Sequence, residues 1–354
     1  MADTIRLGDA ATYINGYAFK PEDRGEVGLP IIRIQDLTGN SYDLGFYDGE
    51  YPEKIEIKDG DILISWSASL GVYVWNRGKA LLNQHIFKVA FDKTEINKYY
   101  FVYAVRKKLD EMKTKTHGAT MKHIVKKDFD ATLIPYPTLE KQAEIATNLD
   151  KISKVLETRK QEIQLLDELI KARFVEMFGT EREFDKWHCE TVSDVADVCV
   201  GVVLKPTQYY TNEGIPAFRS LNIGEMYVKD TDWVYFTEEG HHKNQKSVVR
   251  KNDVLVVRSG APGTACVATE KYDGYNAVDI IIAHPDNNKI NSVFLAAFTN
   301  MPHGMNQVRV KTGGAAQQHF NVGGYKTMRI ILPPIELQNQ FAAFVAEIDK
   351  SKVI

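Results

Sequence analysis

The sequence has few cysteines and no motif that would pair them. Cys189, Cys199 and Cys266 are the only three, they lie far apart, and no CxxC pair occurs. The pattern therefore predicts neither a disulfide framework nor a zinc ribbon. The neighbouring pair His188 and Cys189 lacks two further ligands at the spacing of a metal site. A reducing cytoplasm fits this cysteine usage.

The sequence also shows neither the pattern of a leader peptide nor a long apolar run. The first ten residues mix charged and polar types, which predicts no signal peptide. No apolar run approaches the ~20 residues that span a bilayer. The longest candidates, residues 330–332 and 293–298, are typical of a buried strand and a buried helix. The apolar share of 44% is enough for the hydrophobic cores of a globular protein.

Several catalytic motifs do not occur. No GxxxxGK[ST] phosphate loop is present, which excludes an ATP-driven motor of that type. A DNA methyltransferase needs a glycine-rich cofactor loop and an Asn/Asp-Pro-Pro-aromatic tetrapeptide, and the only Pro-Pro pair, at 333–334, lacks both flanks. Residues 285–289 weakly resemble a metal-dependent nuclease motif but lack its second acidic residue and closely spaced lysine. The sequence therefore predicts no catalytic centre.

The net charge of −3 describes the whole chain and hides one basic stretch. Nucleic-acid binding needs only a local basic face, so the overall charge does not exclude it. Between residues 106 and 127, two acidic residues stand against eight basic ones: Arg106, Lys107, Lys108, Lys113, Lys115, Lys122, Lys126 and Lys127. The same composition is also typical of a solvated helix and loop.

Two parts of the sequence match each other in the same order. Residues 7–11 match 192–196, residues 61–64 match 253–256, and a loop of small residues follows each of the latter segments. Other matched pairs are Gly16 and Gly201, Lys20 and Lys205, Gly28 and Gly214, Arg33 and Arg219, Leu37 and Ile223, Asn83 and Asn276, Gly118 and Gly314, His123 and His319, Pro137 and Pro333, and Gln142 and Gln338. The offset rises from 185 (192 − 7) to 196 (338 − 142) without falling back, which indicates an internal duplication.

Each copy is predicted to be a mixed α/β domain. Segments 31–34, 61–64, 72–74 and 86–91 are rich in β-branched and aromatic residues, which favours strands. Residues 97–112 carry apolar side chains at helical spacing. The predicted fold class is α+β, with domains at 1–137 and 180–333, a long helix at 138–179 and a shorter one at 334–354.

The long helix has clear start and stop signals. Thr138 can cap its first turn, Glu140 suits the positive end of the helix dipole, and no Pro or Gly follows until Gly179. Its apolar residues recur at steps of four and three, which is typical of a coiled-coil seam. The predicted seam residues are Ile145, Leu149, Ile152, Leu156, Ile163, Leu166, Ile170 and Met177. About 40 residues would make a rod of ~60 Å.

The second helix offers a partner for this seam. Phe341, Val345 and Ile348 lie on one of its faces, and an antiparallel coiled coil with the first helix is predicted. Because the second helix is some 20 residues shorter, part of the seam is left uncovered. We expect that part near the C-terminal end of the first helix, where a partner subunit would dock.

This layout resembles the specificity subunit of type I restriction–modification enzymes, over essentially the whole chain. The likeness rests on residues 7–9, segments 16–20 and 28–37, and Asp61 with its following strand. It rests above all on the two domain exits, IPYPTLEKQ at 134–142 and ILPPIELQ at 331–338. Proline, then Glu and Gln at a helix start, is fairly specific when it occurs twice in this setting.

The resemblance implies a function without catalysis. In that family each globular domain is a target-recognition domain that reads half of a split DNA sequence, and the helices are spacers and docking surfaces. The implied partners are double-stranded DNA, modification subunits (two of them) and a restriction subunit. S-adenosylmethionine would belong to the modification subunits, and ATP with magnesium to the restriction subunit, so no cofactor is expected on this chain. No membrane partner is expected.

DNA contacts can be proposed from residue chemistry. Phosphate contacts need cations on polar loops, and base contacts need Arg, Asn, Gln, Lys or His side chains. The phosphate candidates are Lys20, Lys113, Lys115, Lys122, Lys126 and Lys127 in the first domain and Lys205, Arg309 and Lys311 in the second. The base candidates are Asn83, Gln84, His85, Met121, Lys122 and His123, and Arg258, Asn276, Gln317, Gln318 and His319. Arg33 and Arg219 recur in both copies and are better explained by fold or phosphate contact.

Two alternatives remain at this point. The chain could be a coiled-coil interaction scaffold that binds no DNA, although the basic stretch and the paired polar loops argue against it. It could also be the specificity region of a DNA methyltransferase or nuclease of another restriction class. Because the two copies differ in sequence, DNA reading would imply a split, non-palindromic target, with half-sites about one helical turn (~34 Å) apart.

Overall fold

The computed structural model describes residues 3–39, 43–67, 69–115, 125–312 and 319–352. The chain divides into two compact units, residues 1–158 and 159–354. Within the described residues, no helix is both long and apolar enough to cross a membrane.

The first unit contains two four-stranded sheets and a two-stranded ribbon. Its strands are β1 (Thr4–Arg6), β2 (Thr12–Asn15), β3 (Leu29–Ile32), β4 (Phe46–Tyr47), β5 (Glu56–Ile57), β6 (Ile62–Ser65), β7 (Gly71–Val74), β8 (Ala80–Leu82), β9 (Ile86–Ala90) and β10 (Leu133–Pro135). Its helices are α1 (Leu7–Ala10), α2 (Ile34–Thr38), α3 (Lys98–Lys115) and α4 (Lys126–Asp130). The sheets have the orders β2-β9-β6-β7 and β4-β3-β8-β5, and β1 pairs with β10. Helix α5 (Leu139–Phe178) follows this unit's last strand and continues into the second unit.

The second unit repeats the ribbon and one sheet of the first unit strand for strand, and it shares three of the four strands of the other sheet. Its strands are β11 (His188–Thr191), β12 (Ala196–Val200), β13 (Tyr210–Thr211), β14 (Ile215–Phe218), β15 (Val234–Phe236), β16 (Val254–Val257), β17 (Ala265–Val267), β18 (Asn276–Ala277), β19 (Ile280–Pro285) and β20 (Arg329–Leu332). Its helices are α6 (Val192–Val195), α7 (Glu238–Lys243), α8 (Ser292–Asn300), α9 (Pro302–Thr312), α10 (Val322–Lys326) and α11 (Ile335–Lys352). The sheets have the orders β12-β19-β16-β17 and β13-β15-β14-β18, and β11 pairs with β20. The predicted α+β duplication is confirmed.

Short 3₁₀ turns complete the described elements. They span Pro21–Asp23, Glu53–Ile55, Glu181–Lys186, Pro206–Tyr209, Ser220–Asn222, Gln245–Ser247 and Glu270–Tyr272.

The four strands that the sequence predicted are present, but Arg33 and Ile34, Asp61 and Phe91 lie just outside β3, β6 and β9, respectively. Ile34 was assigned to a strand but is the first residue of α2. The reason is local: the Asp36 carboxylate accepts a hydrogen bond from the Arg33 backbone N–H at 2.7 Å and so begins a helix there. The same turn occurs in the second unit, where Asn222 accepts from the Arg219 N–H at 2.9 Å.

Matched glycines mark a close approach of two backbone segments in each unit. A Cβ atom on Gly16 would lie 2.0 Å from the carbonyl oxygen of Asn83, and one on Gly201 would lie 2.6 Å from that of Ala277. Any side chain would push the segments apart. The recurrence of glycine at these two positions therefore follows from the fold.

The pairing of Asn83 with Asn276 in the duplication is wrong. The Asn83 N–H donates to Ile32 O at 3.1 Å, and the equivalent bond in the second unit runs from the Val278 N–H to Phe218 O at 2.8 Å. Asn83 therefore corresponds to Val278, whereas Asn276 lies in β18, opposite Ala217. The first unit has one residue more before its next strand, so the offset reaches 195 (278 − 83) here and falls to 194 (280 − 86) at the start of β9 and β19.

The glutamines of the two exit motifs have a structural role. Gln142 and Gln338 are both fully buried. The Gln142 Oε1 accepts from the Asn97 N–H at 2.9 Å, and its Nε2 donates to Pro137 O at 2.8 Å. Gln338 makes the equivalent bonds with Asn291 at 2.9 Å and Pro333 at 2.8 Å. Each glutamine thus joins the start of the exit helix to the segment that begins α3 or α8.

The ends of α5 match their sequence signals. The Lys141 N–H donates to Thr138 Oγ1 at 3.4 Å, so Thr138 caps the helix. At the other end Gly179 has a φ of 85° and its N–H donates to Val175 O at 2.8 Å. This left-handed conformation suits glycine and ends the helix.

Helix α11 packs antiparallel against the C-terminal part of α5. The Phe341 ring lies 5.5 Å from that of Phe174 between centroids, and at the opposite end of α11 the Lys352 Nζ lies 2.8 Å from a carboxylate oxygen of Asp167. The prediction that the C-terminal end of α5 is left uncovered is therefore wrong. The antiparallel partner begins at that end, and its 18 residues extend only to Arg159, which donates to Ser351 O at 2.7 Å.

Two predicted seam residues, Ile152 and Leu156, form an exposed apolar stretch with the neighbouring Val155 in the N-terminal half of α5, and Leu165 and Leu169 further along the helix are also exposed. Ile152, Val155 and Leu156 are 55%, 67% and 58% exposed, respectively. Of the other predicted seam residues, Ile170 is buried, and Ile145, Leu149, Ile163, Leu166 and Met177 are half-buried. On α11, Phe341 and Val345 are buried and Ile348 packs against the same core.

A buried histidine in this core predicts acid sensitivity. His303 is 8% exposed and its ring lies 4.3 Å from that of Phe298, and burial lowers the pKa of the imidazole to about 4. The unfolded pKa is about 6.5, so the neutral form stabilises the fold above that pH, and this contribution is lost as the pH falls toward 4. In the wild type, this protonation should lower the free energy of unfolding by about 2 kcal/mol between pH 7 and pH 5. We expect that part of the decrease to be absent in His303→Phe.

Urea unfolding of the wild type and the variant at several pH values measures this difference. The largely exposed His242 provides a control, because His242→Phe should leave the pH dependence unchanged. Parallel pH profiles for wild type and His303→Phe would contradict the prediction.

Candidate nucleic-acid interface

The basic stretch of the first unit is only partly within the described residues. Arg106 and Lys107 are exposed on α3, and the Lys108 Nζ is paired with the Glu111 carboxylate at 2.9 Å. Lys126, at the start of α4, pairs with Asp130 at 2.9 Å and lies 5.7 Å from the centroid of the Tyr13 ring. Lys127 on the same helix is exposed.

Several predicted contacts lie outside the described residues. Met121, Lys122, His123, Gln317 and Gln318 belong to this group. Lys113 and Lys115 fall in the last turn of α3, and the description of α3 covers their backbone only.

The equivalent cations of the second unit lie at the end of α9. Arg309 is exposed, and within the described residues no carboxylate pairs with its guanidinium. The Lys311 Nζ donates to Thr327 Oγ1 at 2.9 Å, which holds it near α10. A free guanidinium on an exposed helix end can form bidentate bonds with a phosphate.

Lys20 and Lys205 occupy matched loops after the first sheet strand of each unit. Lys20 is 72% exposed, with Glu22 at 3.8 Å. Lys205 is exposed and has a φ of 46°, the left-handed region. Both side chains extend from a loop that begins at Gly16 or Gly201, where the backbone passes close to the end of β8 or β18.

The residues before β9 are suited to contact a ligand. The backbone N–H of Gln84 donates to Tyr17 O at 2.8 Å, while its side chain is exposed. Asn83 is half-buried, and its Oδ1 accepts from the Gln84 N–H at 2.8 Å. His85 follows with a φ of 73° and its ring lies 5.0 Å from that of Trp66. A fixed backbone with an exposed amide is the arrangement that base recognition requires.

Arg258 in the second unit is buried in a polar cluster. It is 8% exposed and forms an ion pair with Asp279. Its Nε also donates to Phe320 O at 3.3 Å, and its other terminal nitrogen contacts His319 Nε2. The Ser259 hydroxyl lies 2.6 Å from His319 Nδ1, so both ring nitrogens of this exposed histidine have partners. The structure thus brings Arg258 and His319 together, with Arg258 holding the segment that carries His319.

Asn276 lies in the core and away from the surface. It has no exposed area, its Oδ1 accepts from the Ser247 hydroxyl at 2.7 Å, and its Nδ2 lies 2.7 Å from His241 Nδ1. Its polar atoms are therefore used to hold α7 and the following turn against β18. The amide was singled out in the sequence because it matched Asn83, and the two positions are not equivalent.

The recurring arginines stabilise loops of the protein itself. Arg33 donates to the Asp36 carboxylate from its Nε at 3.2 Å and to Asp43 O. Arg219 donates to Asp232 O in the second unit. These bonds give a structural reason for the recurrence of Arg in two domains with different loops.

Two exposed apolar side chains beside predicted cations were missed by the sequence reasoning. Leu204 precedes Lys205 and is 83% exposed, and Val310 follows Arg309 and is 82% exposed. Apolar residues are expected to be buried, so no sequence signal identified them. Exposed apolar side chains next to cations are suited to contact with base methyl groups or base steps.

Among the residues that the structure describes, no group of three or more His, Cys, Asp or Glu side chains has the arrangement of a metal site. His188, the candidate noted beside Cys189, has its Nε2 at 3.0 Å from the Glu190 carboxylate.

Known proteins share both the sequence pattern and the fold. The family model described as "Type I restriction modification DNA specificity domain" matches residues 2–168 and again 185–354. The type I restriction enzyme EcoBI specificity subunit of Escherichia coli is 24% identical, over 97% of this chain and 78% of that subunit.

Solved structures agree on the fold. The S subunit of a type I restriction–modification system from M. genitalium superposes with a TM-score of 0.59 at 15% identity, over 99% of this chain and 90% of that one. A chain from a structure on complex assembly of the type I R-M system gives a TM-score of 0.51 at 15% identity, with coverages of 99% and 90%. The two family matches fall on the two units that share strand order and exit motifs, and the chain therefore belongs to the type I restriction–modification DNA specificity family.

Proposed function

We propose that this chain is the DNA-reading subunit of a type I restriction–modification system, with one recognition domain at 1–137 and another at 180–333. The observation that supports this proposal is that the two units share the ribbon, one complete sheet and three strands of the other sheet but differ in the loops between the strands. A shared frame with different loops is what two half-sites of different sequence require. The proposed target is therefore split and asymmetric.

Phosphate contacts would supply most of the affinity. Lys20, Lys126 and Lys127 in the first domain, and Lys205, Arg309 and Lys311 in the second, are described cations with exposed or half-exposed side chains. Such contacts are insensitive to sequence and weaken as salt rises, because bound cations are released from the DNA. Lys113, Lys115 and Lys122 belong to the same proposal.

Base contacts would come from fewer residues. Gln84 in the first domain and His319 in the second are exposed on segments fixed by hydrogen bonds to neighbouring backbone or side chains. Arg258 contacts His319 and fixes its position, and Leu204 and Val310 would add apolar contacts with the DNA bases. Asn83, His123, Gln317 and Gln318 remain candidates, whereas buried Asn276 does not enter this proposal.

The helices would bind the catalytic partners. Ile152, Val155 and Leu156 form an exposed apolar stretch on α5, and a modification subunit would cover it. The relatives are named as specificity subunits, and one structural neighbour concerns assembly of such a complex. In this proposal the chain catalyses nothing itself, S-adenosylmethionine is bound by two modification subunits, and ATP and magnesium by a restriction subunit, all in the cytoplasm.

Substitution of Arg309 tests DNA reading by the second domain. With the modification subunit present, Arg309→Ala is expected to weaken binding to all duplex sequences about tenfold and to lower the slope of log affinity against log salt by about 1. Fluorescence anisotropy with labelled duplexes at several salt concentrations measures both quantities.

Arg182→Ala is the matched control. Arg182 is also an exposed arginine of the second unit, but it lies in the 3₁₀ turn Glu181–Lys186 and away from the proposed loops in sequence. DNA reading by this surface is refuted if the two variants bind alike, or if duplex binding by the wild-type complex shows neither salt dependence nor sequence preference.

A further inference from the structure

Three polar side chains lie side by side on one face of the first sheet of the second unit. Cys199 in β12 is opposite Ile282 in β19, and His284 is two residues further along β19, on the same face. Asp253 immediately precedes β16 and lies next to His284, because Val254 pairs with Ala283 in the antiparallel register. Three neighbouring strands thus place a thiol, an imidazole and a carboxylate in a row.

The imidazole of His284 contacts the carboxylate with one ring nitrogen and the thiol with the other. His284 Nδ1 lies 2.6 Å from Asp253 Oδ1, and its Nε2 lies 3.7 Å from the Cys199 sulfur. The Asp253 side chain is 4% exposed and that of His284 is 20% exposed, while Cys199 is half-buried. The hydrogen bond to Asp253, and then that to Cys199, raise the pKa of His284 to about 9, so the imidazole is protonated at neutral pH.

The first unit shows that the fold does not need this pair. When the two units are aligned by strand register, Ile14 of the first unit occupies the position of Cys199, and Ala90 occupies that of His284. Asp253 has a counterpart in Asp61, since the carboxylates accept from the backbone N–H of Arg250 at 2.6 Å and of Lys58 at 2.9 Å, respectively. The carboxylate is therefore part of the shared frame, whereas the thiol and the imidazole occur at these positions only in the second unit.

We propose that Cys199, His284 and Asp253 form a nucleophilic thiol site that reacts with small soft electrophiles. Asp253 orients the imidazolium, and its Nε2–H stabilises the thiolate on Cys199, the arrangement by which a base and an orienting carboxylate activate a cysteine. With iodoacetamide, the thiol proton leaves to solvent, a sulfur–carbon bond forms, the carbon–iodine bond breaks and iodide departs. This site is independent of DNA reading.

The other two cysteines supply internal comparisons. Cys266 is fully buried, and burial raises the pKa of its thiol to about 12. Cys189 is half-buried like Cys199, and within the described residues the one hydrogen-bond contact of its sulfur is with Trp187 O, at 3.7 Å. The Cys199 sulfur also has a carbonyl partner, Lys246 O at 3.1 Å, so the difference between the two thiols is the imidazole of His284. Similar exposure without an imidazole makes Cys189 the control for accessibility.

A competition between the three thiols tests the site. The full chain is treated with a brief pulse of iodoacetamide at pH 7, and mass spectrometry of the peptides gives a rate for each cysteine. We expect Cys199 to react about tenfold faster than Cys189, and Cys266 to react only after unfolding. In His284→Ala, which installs the residue of the first unit, the Cys199 rate should fall to that of Cys189 at a temperature at which circular dichroism shows the variant to be folded.

His284→Gln provides a second variant in case the alanine disturbs the sheet, because its amide can still bond to Asp253 without carrying a charge. It should lower the Cys199 rate as the alanine does. A wild-type Cys199 no faster than Cys189, or a Cys199 rate unchanged in folded His284→Gln, would overturn the proposal.

Discussion

Replacing residues 181–333 with the equivalent segment of a relative is expected to change one half of the recognised DNA sequence and leave the other half unchanged. Each unit has its own sheets, ribbon and core, so the second can be exchanged without repacking the first. The boundary at residue 333 divides the exit motif, so that Gln338 stays with α11 while its backbone partner at position 333 is exchanged. The change should be complete, because base contacts are lost and replaced together.

Mapping the methylated bases in the DNA of cells that carry the hybrid subunit gives both half-sites directly. Exchange of residues 1–136 is the reciprocal control and should alter the other half only. A hybrid that changes both halves, or that methylates the original target, would rule out modular reading by the two domains.

Loss of a buried exit glutamine is expected to destabilise its unit strongly. Gln338→Ala would leave the Asn291 N–H and the Pro333 carbonyl without their bonds at 2.9 and 2.8 Å, in a fully buried place. Each buried group left unsatisfied costs about 1–3 kcal/mol, so the loss of both bonds is expected to cost about 2–6 kcal/mol. Urea unfolding followed by tryptophan fluorescence should show a lower midpoint for the transition of the second unit.

Gln340→Ala is the matched control for this variant. Gln340 is two residues further along α11 and exposed, so its loss should change the midpoint little. Gln142→Ala should reproduce the effect in the first unit, since Gln142 makes the same two bonds. Equal midpoints for Gln338→Ala and Gln340→Ala would show that the bonds are not needed for stability.

The contrast between these glutamines and Asn276 shows how much of the site the sequence could predict. The exit glutamines recur because both bond to the same backbone groups, and sequence comparison found them without knowing why. Asn276 and Asn83 also matched in letter, yet one is buried in β18 and the other precedes β9. The segment that leads into β9 is one residue longer than the segment that leads into β19. This difference was enough to misalign the two asparagines, and only the hydrogen-bond register of the strands resolves such a shift.

The solvent exposure of individual side chains could not be predicted from the sequence either. Arg258 was chosen as a base contact because of its chemistry, but it is paired with Asp279 and supports His319. Leu204 and Val310 are apolar and nevertheless largely exposed. The residue type alone does not determine whether a side chain is buried, because burial depends on contacts with segments that are distant in the sequence.

The sequence by itself determined the duplication, the α+β class and both ends of the long helix, because these depend on local patterns: matched motifs, strand and helix periodicity, a capping Thr138 and a terminating Gly179. The tertiary structure alone decided which stretch of α5 remains exposed, since that follows from the antiparallel direction of α11. It also decided which polar residues reach the surface and placed Cys199, His284 and Asp253 in one row. Those facts depend on the pairing of strands and helices far apart in the chain, which no local pattern encodes.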